Sequence, residues 1–235
     1  MVTDVKQTPF IKQLVANDKP SRDAALDSLK TYLSGRRELP PIELMKLWKG
    51  LFYCMWMTDR PLPQQSLANS LAQLIFILPS QNVIPFLRAF WQTMQREWTN
   101  IDVLRMEKFL LLTRRYFAAS LEILKKQNWN EDSVEQMRLI MVEIPCNTKD
   151  LKIPNGMRYH IIDIYVDELE KLGCLEKGSE APLERLLEPL RGLAENSLTK
   201  NVRLKAREAL KDERLPGVHK ESAEEEPDEW AGLQD

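Results

Sequence analysis

The stretch "KLWKGLFYCMWMTDRPL", residues 46–62, gathers two Trp, two Met, a Phe, a Tyr and a Cys into one short run. Three structures accept such a run: a membrane span, an aromatic ligand site, or a helix buried on nearly all sides. A spanning helix needs about 20 predominantly apolar residues. Lys46, Lys49, Asp59 and Arg60 bracket or interrupt this run, so a span is excluded. At about 100° per residue, Leu44, Trp48, Leu51, Phe52 and Met55 form one stripe, with Tyr53, Cys54 and Met57 opposite. A helix apolar on both sides is sandwiched between neighbours. Trp48, Phe52 and Met55 are therefore expected in a core. A pocket built on Trp48 or Trp56 is the competing reading.

Outward from this run, nearly every segment repeats apolar residues at helical spacing, with proline as punctuation. Residues 20–34 place Ala24, Ala25, Leu29 and Leu33 inward and end at Gly35. Pro40 and Pro41 start the helix that holds the opening run, and Pro61 breaks it. Pro63 starts the next, with Leu67, Leu71, Leu74, Ile75 and Leu78 on one face, and Pro79 stops that one. Asn82 reads as an N-cap for a helix to about Trp98. Thr99 and Asp102 form a capping-box-like start for 102–126, and Asn130 caps another helix. A loop spans 145–156. Helices resume near 157–172, 182–197 and 200–213. Grouped in pairs, they form units near 20–58, 63–98, 102–144 and 157–197, close to the period of HEAT and armadillo arrays. The fold class expected is all-α: stacked antiparallel helix pairs in a HEAT/armadillo-like α-solenoid. An irregular helical bundle is the alternative. Residues 1–215 are the helical-repeat domain and 216–235 an acidic tail.

Charge divides the same way. The net charge is −2. Residues 216–235 set seven carboxylates against Lys220, which leaves a mildly basic body. The N-terminus lacks the apolar core of a secretory signal. Cys54, Cys146 and Cys174 have no CxxC spacing, as expected of buried reduced thiols in the cytosol or nucleus. No phosphate loop, nucleophile elbow or HExxH string occurs, so no catalytic residue, cofactor, metal or small-molecule substrate is expected. His160 reads as a partly buried histidine with a local partner, and Asp163 and Asp167 as solvated charges.

Two basic rows are the candidate binding features. On 102–126 an apolar arc including Val103, Phe109 and Phe117 faces inward. Lys108, Arg115 and Lys126 line one outer flank. On the last helix Lys200, Arg203, Arg207, Lys211 and Arg214 fall within about 80° on a wheel. Such a row suits a phosphate backbone, an acidic protein segment, or plain solvent. Phe90, Met94 and Trp98 follow at i, i+4 and i+8, and Trp91 lies about 100° from Phe90. One of Trp91 and Trp98 is expected near the surface; the alternative is that both are core. Trp98 beside Arg96 is the choice for a protein anchor, since large aromatics concentrate binding energy. In the tail, Trp230 and Leu233 are the bulky apolar residues. They suit docking on a partner, docking on this chain's own basic row, or no role.

Three stretches resemble the eukaryotic ribosomal RNA processing protein 1 family: "LWKGLFYCMWMTDRPL" at 47–62, "FLRAFWQTMQREWTNIDVLRMEKFLLLTRR" at 86–115 and "GMRYHIIDIYVDEL" at 156–169. "FIKQLVANDKPSRDAALDSLKTYL" fits the family's opening helices, and the likeness covers roughly 7–213. The resemblance implies a nuclear, nucleolar helical-repeat scaffold in early large-subunit precursor particles. It implies partners among other large-subunit assembly factors and pre-ribosomal RNA, a role in maturing that RNA without being the nuclease, and no membrane. A helical-repeat adaptor that binds only proteins is the alternative. Many members carry a long, often basic C-terminal extension.

Overall fold

The computed structural model describes residues 13–14, 16, 18–35 and 38–218. Nine longer helices follow in order among them: α1 (Lys19–Gly35), α2 (Pro41–Trp56), α3 (Pro61–Gln73), α4 (Ser80–Glu97), α5 (Val103–Lys126), α6 (Glu131–Glu143), α7 (Asn155–Lys171), α8 (Leu183–Asn196) and α9 (Lys200–Ala209). Two 3-10 turns, Leu74–Phe76 and Trp98–Asn100, extend α3 and α4. No strand occurs among the described residues.

Local chemistry accounts for most boundaries. Pro41 and Pro61 open their helices, where a missing N–H costs nothing. Pro61 thus starts α3 rather than merely breaking α2, and the break falls at residues 57–60. Asp102 caps α5 by accepting from the Arg105 N–H at 3.0 Å, while Thr99 lies in the preceding 3-10 turn. Asn130 caps α6 through the Ser133 N–H at 3.1 Å. Asn82 is not a cap. α4 starts at Ser80, and the buried Asn82 side chain accepts from the Leu39 N–H across the fold at 3.2 Å.

The run at 46–62 is core. α2 packs on α4 and also touches α3 and α5. The Trp48 ring meets Phe86, Phe90 and Tyr116 at 5.1, 4.9 and 4.9 Å. Its Nε1–H donates to the Phe86 carbonyl at 3.1 Å, so burial leaves no polar atom stranded there. Phe52 stacks on Phe109 at 4.5 Å. Met55 and Cys54 are also buried. The opposite side is not wholly covered, because Tyr53 and Met57 reach solvent. Two other inward assignments fail. Ala24 is exposed and Leu26 takes its place in the core. Val103, the first residue of α5, is exposed.

Helices two apart along the chain make most contacts: α2 with α4, α4 with α6, α6 with α8, and likewise α3 with α5, α5 with α7, α7 with α9. α8 also packs closely on α9.

Residues 144–154 link α6 to α7 around one buried cation. The Arg158 guanidinium donates to the carbonyls of Asn147, Asp150 and Ile153 and to Asn155 Oδ1, at 2.6–3.0 Å. Burial lowers its pKa, and this set of acceptors keeps the charge in place.

Candidate functional site

α9 is held by Val202 and Ala206, which face α7 and α8 and are fully buried. The 3.6-residue period then turns Lys200, Arg203 and Arg207 to the solvent flank. Arg203 donates to the Ser197 carbonyl at 2.6 Å, and Arg207 Nε to the Ala194 carbonyl at 3.0 Å. Both carbonyls lie at the C-terminal end of α8, where the helix dipole favours a cation. Neither bond neutralises the guanidinium. Among the described residues, Lys200, Arg203, Arg207 and Lys211 form no ion pair with a carboxylate.

The expected row is shorter than the wheel implied. The helix stops at Ala209, and the chain turns so that Arg214 leaves the face. Its guanidinium pairs with Glu170, Asp167 and Asp212 at 2.5, 3.1 and 2.6 Å. The carboxylates hold its pKa well above the usual arginine value. Lys205 pairs with Asp163 at 2.6 Å on the other flank. Asp163 and Asp167 are therefore not simply solvated. Burial raises the Asp167 pKa, but hydrogen bonds from Arg214 and Arg114 outweigh it and leave the pKa lowered. A groove of about 680 Å³ between α7 and α9 is lined by Asp163, Lys205, Asp212 and Arg214, by Glu208, Lys211 and Glu213, and by the apolar Ile162 and Val166.

The α5 set does not form a stripe. Lys108 is only 3% exposed. Its ammonium donates to the carbonyls of Trp56 and Thr58, at 2.6 and 2.8 Å, closing the end of α2. Desolvation lowers its pKa. It cannot reach a partner, because α2 ends directly over it. Arg115 is exposed and forms no ion pair with a described residue. Lys126 pairs with Glu122 at 2.8 Å and lies over the Phe76 ring. Arg114 is bound to Glu168 and Asp167 at 2.6 and 2.9 Å. α7 packs between α5 and α9, so the two basic sets stay apart.

The proposed aromatic anchor is core. Trp98 is 4% exposed, and Trp91 is completely buried, so neither approaches the surface. The 3-10 turn after α4 swings the Trp98 indole over the first turn of α7. There a Cβ on Gly156 would come within 3.1 Å of Nε1. Arg96 is exposed and pairs with Glu97 at 2.7 Å. Trp230 and Leu233 lie outside the described residues.

Wheel reasoning missed a neighbour of α9. The Leu198 N–H donates to the Thr148 carbonyl at 3.2 Å. That bond sets the loop bearing exposed Lys149 and Lys152 against the start of α9. Leu198 and Leu204 are 59% and 51% exposed beside the cations. The tertiary bond, and hence the patch, has no sequence signal.

The three thiols are buried, and burial pushes Cys54 and Cys174 up to about 11 and Cys146 to about 12. Among the described residues no three His, Cys, Asp or Glu side chains converge as a metal site does. No described helix is long and apolar enough to cross a membrane.

The family described as nucleolar protein Nop52 matches residues 5–232. The human protein named ribosomal RNA processing protein 1 homolog A is 40% identical over 194 residues, covering 78% of this chain and 42% of that protein. The human homolog B is 36% identical over 230 residues, covering 92% and 30%. The Drosophila melanogaster homolog is 34% identical over 177 residues, covering 71% and 25%. The chain thus spans well under half the length of these relatives.

Proposed function

This chain belongs to the nucleolar Nop52, or ribosomal RNA processing protein 1, family, and from that membership we propose that it is a non-catalytic scaffold in nucleolar large-subunit biogenesis. In this reading it binds other assembly factors and pre-ribosomal RNA, and supports RNA processing without cutting. The names of its relatives support the pathway. The observation that supports the RNA contact is the set of four cations on and just after α9 that lack carboxylate partners. A protein surface normally intersperses its signs, and the neighbouring Lys205 and Arg214 are paired. An uncompensated row is what a polyanion can use.

The array itself is read as an α-solenoid. The two rows, α2–α4–α6–α8 and α3–α5–α7–α9, support that reading, because stacked helix pairs contact their equivalents in the next pair. Its body ends near residue 215, where Leu215 is buried, and the acidic segment follows. A second reading, an adaptor with protein contacts only, draws on the exposed Leu198 and Leu204, which phosphates do not need.

RNA binding across a salt series tests the first reading. Each cation lost from a phosphate contact flattens the slope of log K against log salt by about 0.9 on duplex and about 0.7 on single strands. Reversing Lys200, Arg203, Arg207 and Lys211 to Glu is expected to flatten it by several of these increments. An unchanged slope would remove the RNA contact from this face.

A further inference from the structure

We propose that the α9 face is a docking surface for this chain's own acidic segment, residues 219–235, which covers it when no other polyanion is bound. The inference shares its surface with the reading above but needs no RNA.

The face has two components. Lys200, Arg203, Arg207 and Lys211 supply charge without carboxylate partners among the described residues. Leu204 projects from the side of α9 opposite buried Val202 and Ala206, and Leu198 precedes the helix; both are more than half exposed. A phosphate backbone accounts for the cations only. A peptide that is acidic and carries bulky apolar residues accounts for both, with the apolar side chains as anchors and the carboxylates for steering.

Residues 219–235 have that composition. Glu221, Glu224, Glu225, Glu226, Asp228 and Glu229 precede Trp230 and Leu233. The order also fits. The described chain packs down through Leu215 and Val218, beyond the C-terminal end of α9. A segment turning back from there meets Lys211 and Arg207 first, then Leu204, Arg203, Lys200 and Leu198. Its carboxylates come first and its Trp and Leu after. The twelve residues from Val218 to Trp230 can span about 40 Å when extended. The ten residues of α9 measure about 15 Å. A tether of this length gives an effective concentration on the order of millimolar, so weak intrinsic docking is enough to populate the covered state.

The test is fluorine NMR of the full chain carrying 5-fluorotryptophan, with Trp230→Phe identifying the Trp230 line. At low salt that line is expected to be displaced and broadened relative to an isolated 219–235 peptide. It should return to the peptide position at high salt and in the Lys200→Glu, Arg203→Glu, Arg207→Glu, Lys211→Glu chain. Leu204→Ser supplies a second variant that keeps every charge, and it is expected to shift the line partway to the peptide position. A Trp230 line at the peptide position in the unmodified chain at low salt overturns the proposal. So does a displaced line that neither charge reversal nor Leu204→Ser moves. A pre-ribosomal RNA fragment that binds and releases Trp230 in step supports both this inference and the scaffold reading. A chain that docks the segment yet binds no RNA keeps this inference and removes the RNA contact. RNA binding to a face whose Trp230 was never docked makes RNA the occupant and ends the proposal.

Discussion

Lys108 and His160 show two ways in which a polar side chain is absorbed by a helical core. Lys108 reads on a wheel as an outward cation, but the end of α2 lies over it. Two carbonyls at that end take its ammonium at 2.6 and 2.8 Å. Charge-assisted bonds and the helix-end dipole offset the desolvation. His160 was legible as a partly buried histidine, yet its partner is not local. Its Nε2 meets the Leu110 carbonyl of α5 at 2.8 Å, and its ring lies beside the Trp98 indole. Burial lowers its pKa, and the bond to Leu110 offsets this only in part. The unfolded chain therefore takes up a proton near the ordinary histidine value of about 6.5 while the folded chain stays neutral. The resulting stability is fully present above the unfolded pKa and is lost as pH falls through the folded one. Melting temperatures from pH 7.5 down to 5.5 should fall less in His160→Gln, which keeps a donor to Leu110, than in the unmodified protein. Equal falls would mean that His160 is not held neutral.

At the scale of elements, helix existence was readable because proline, Asp102 and Asn130 act locally and the apolar period is strong. Ends were less readable where distant groups decide them. α9 stops at Ala209 rather than near 213, and Arg214 turns towards carboxylates on α7 that no local rule could locate. Asn82 has the residue type of a cap but spends its side chain on Leu39. The 144–154 link is the extreme case, since its shape rests on Arg158 from the helix that follows. Arg158→Leu removes the donor from three carbonyls and from the Asn155 side chain. Each acceptor left buried and unpaired costs roughly 1–3 kcal/mol. The link can open to water, so a total of about 3 kcal/mol is expected from denaturant unfolding. Faster amide exchange at 147–153 should accompany it. A variant as stable as the parent would mean that the guanidinium does not organise this link. The candidate patch depends on the same link, because the Thr148–Leu198 bond ties the loop that carries Lys149 and Lys152 to the residues just before α9.

For the whole molecule, two rows of helices bury an aromatic-rich centre, and among the described residues nothing covers one side of the last helix of the rows, α9. Family membership was legible from three strings of sequence. The candidate face was legible only in part: Lys200, Arg203, Arg207 and Lys211 stay without a carboxylate partner among the described residues, while Lys108, Trp98 and Arg214 are taken into internal contacts. The central claim is that this face meets pre-ribosomal RNA inside a large-subunit precursor. Ultraviolet crosslinking of the chain within purified precursor particles, followed by mass spectrometry of the RNA-bearing peptides, tests it most directly. The account predicts crosslinks in peptides from residues 196–214 and from the neighbouring 147–153 link. Crosslinks confined to other surfaces, or a chain that co-purifies with the particle and crosslinks only to protein, would contradict it.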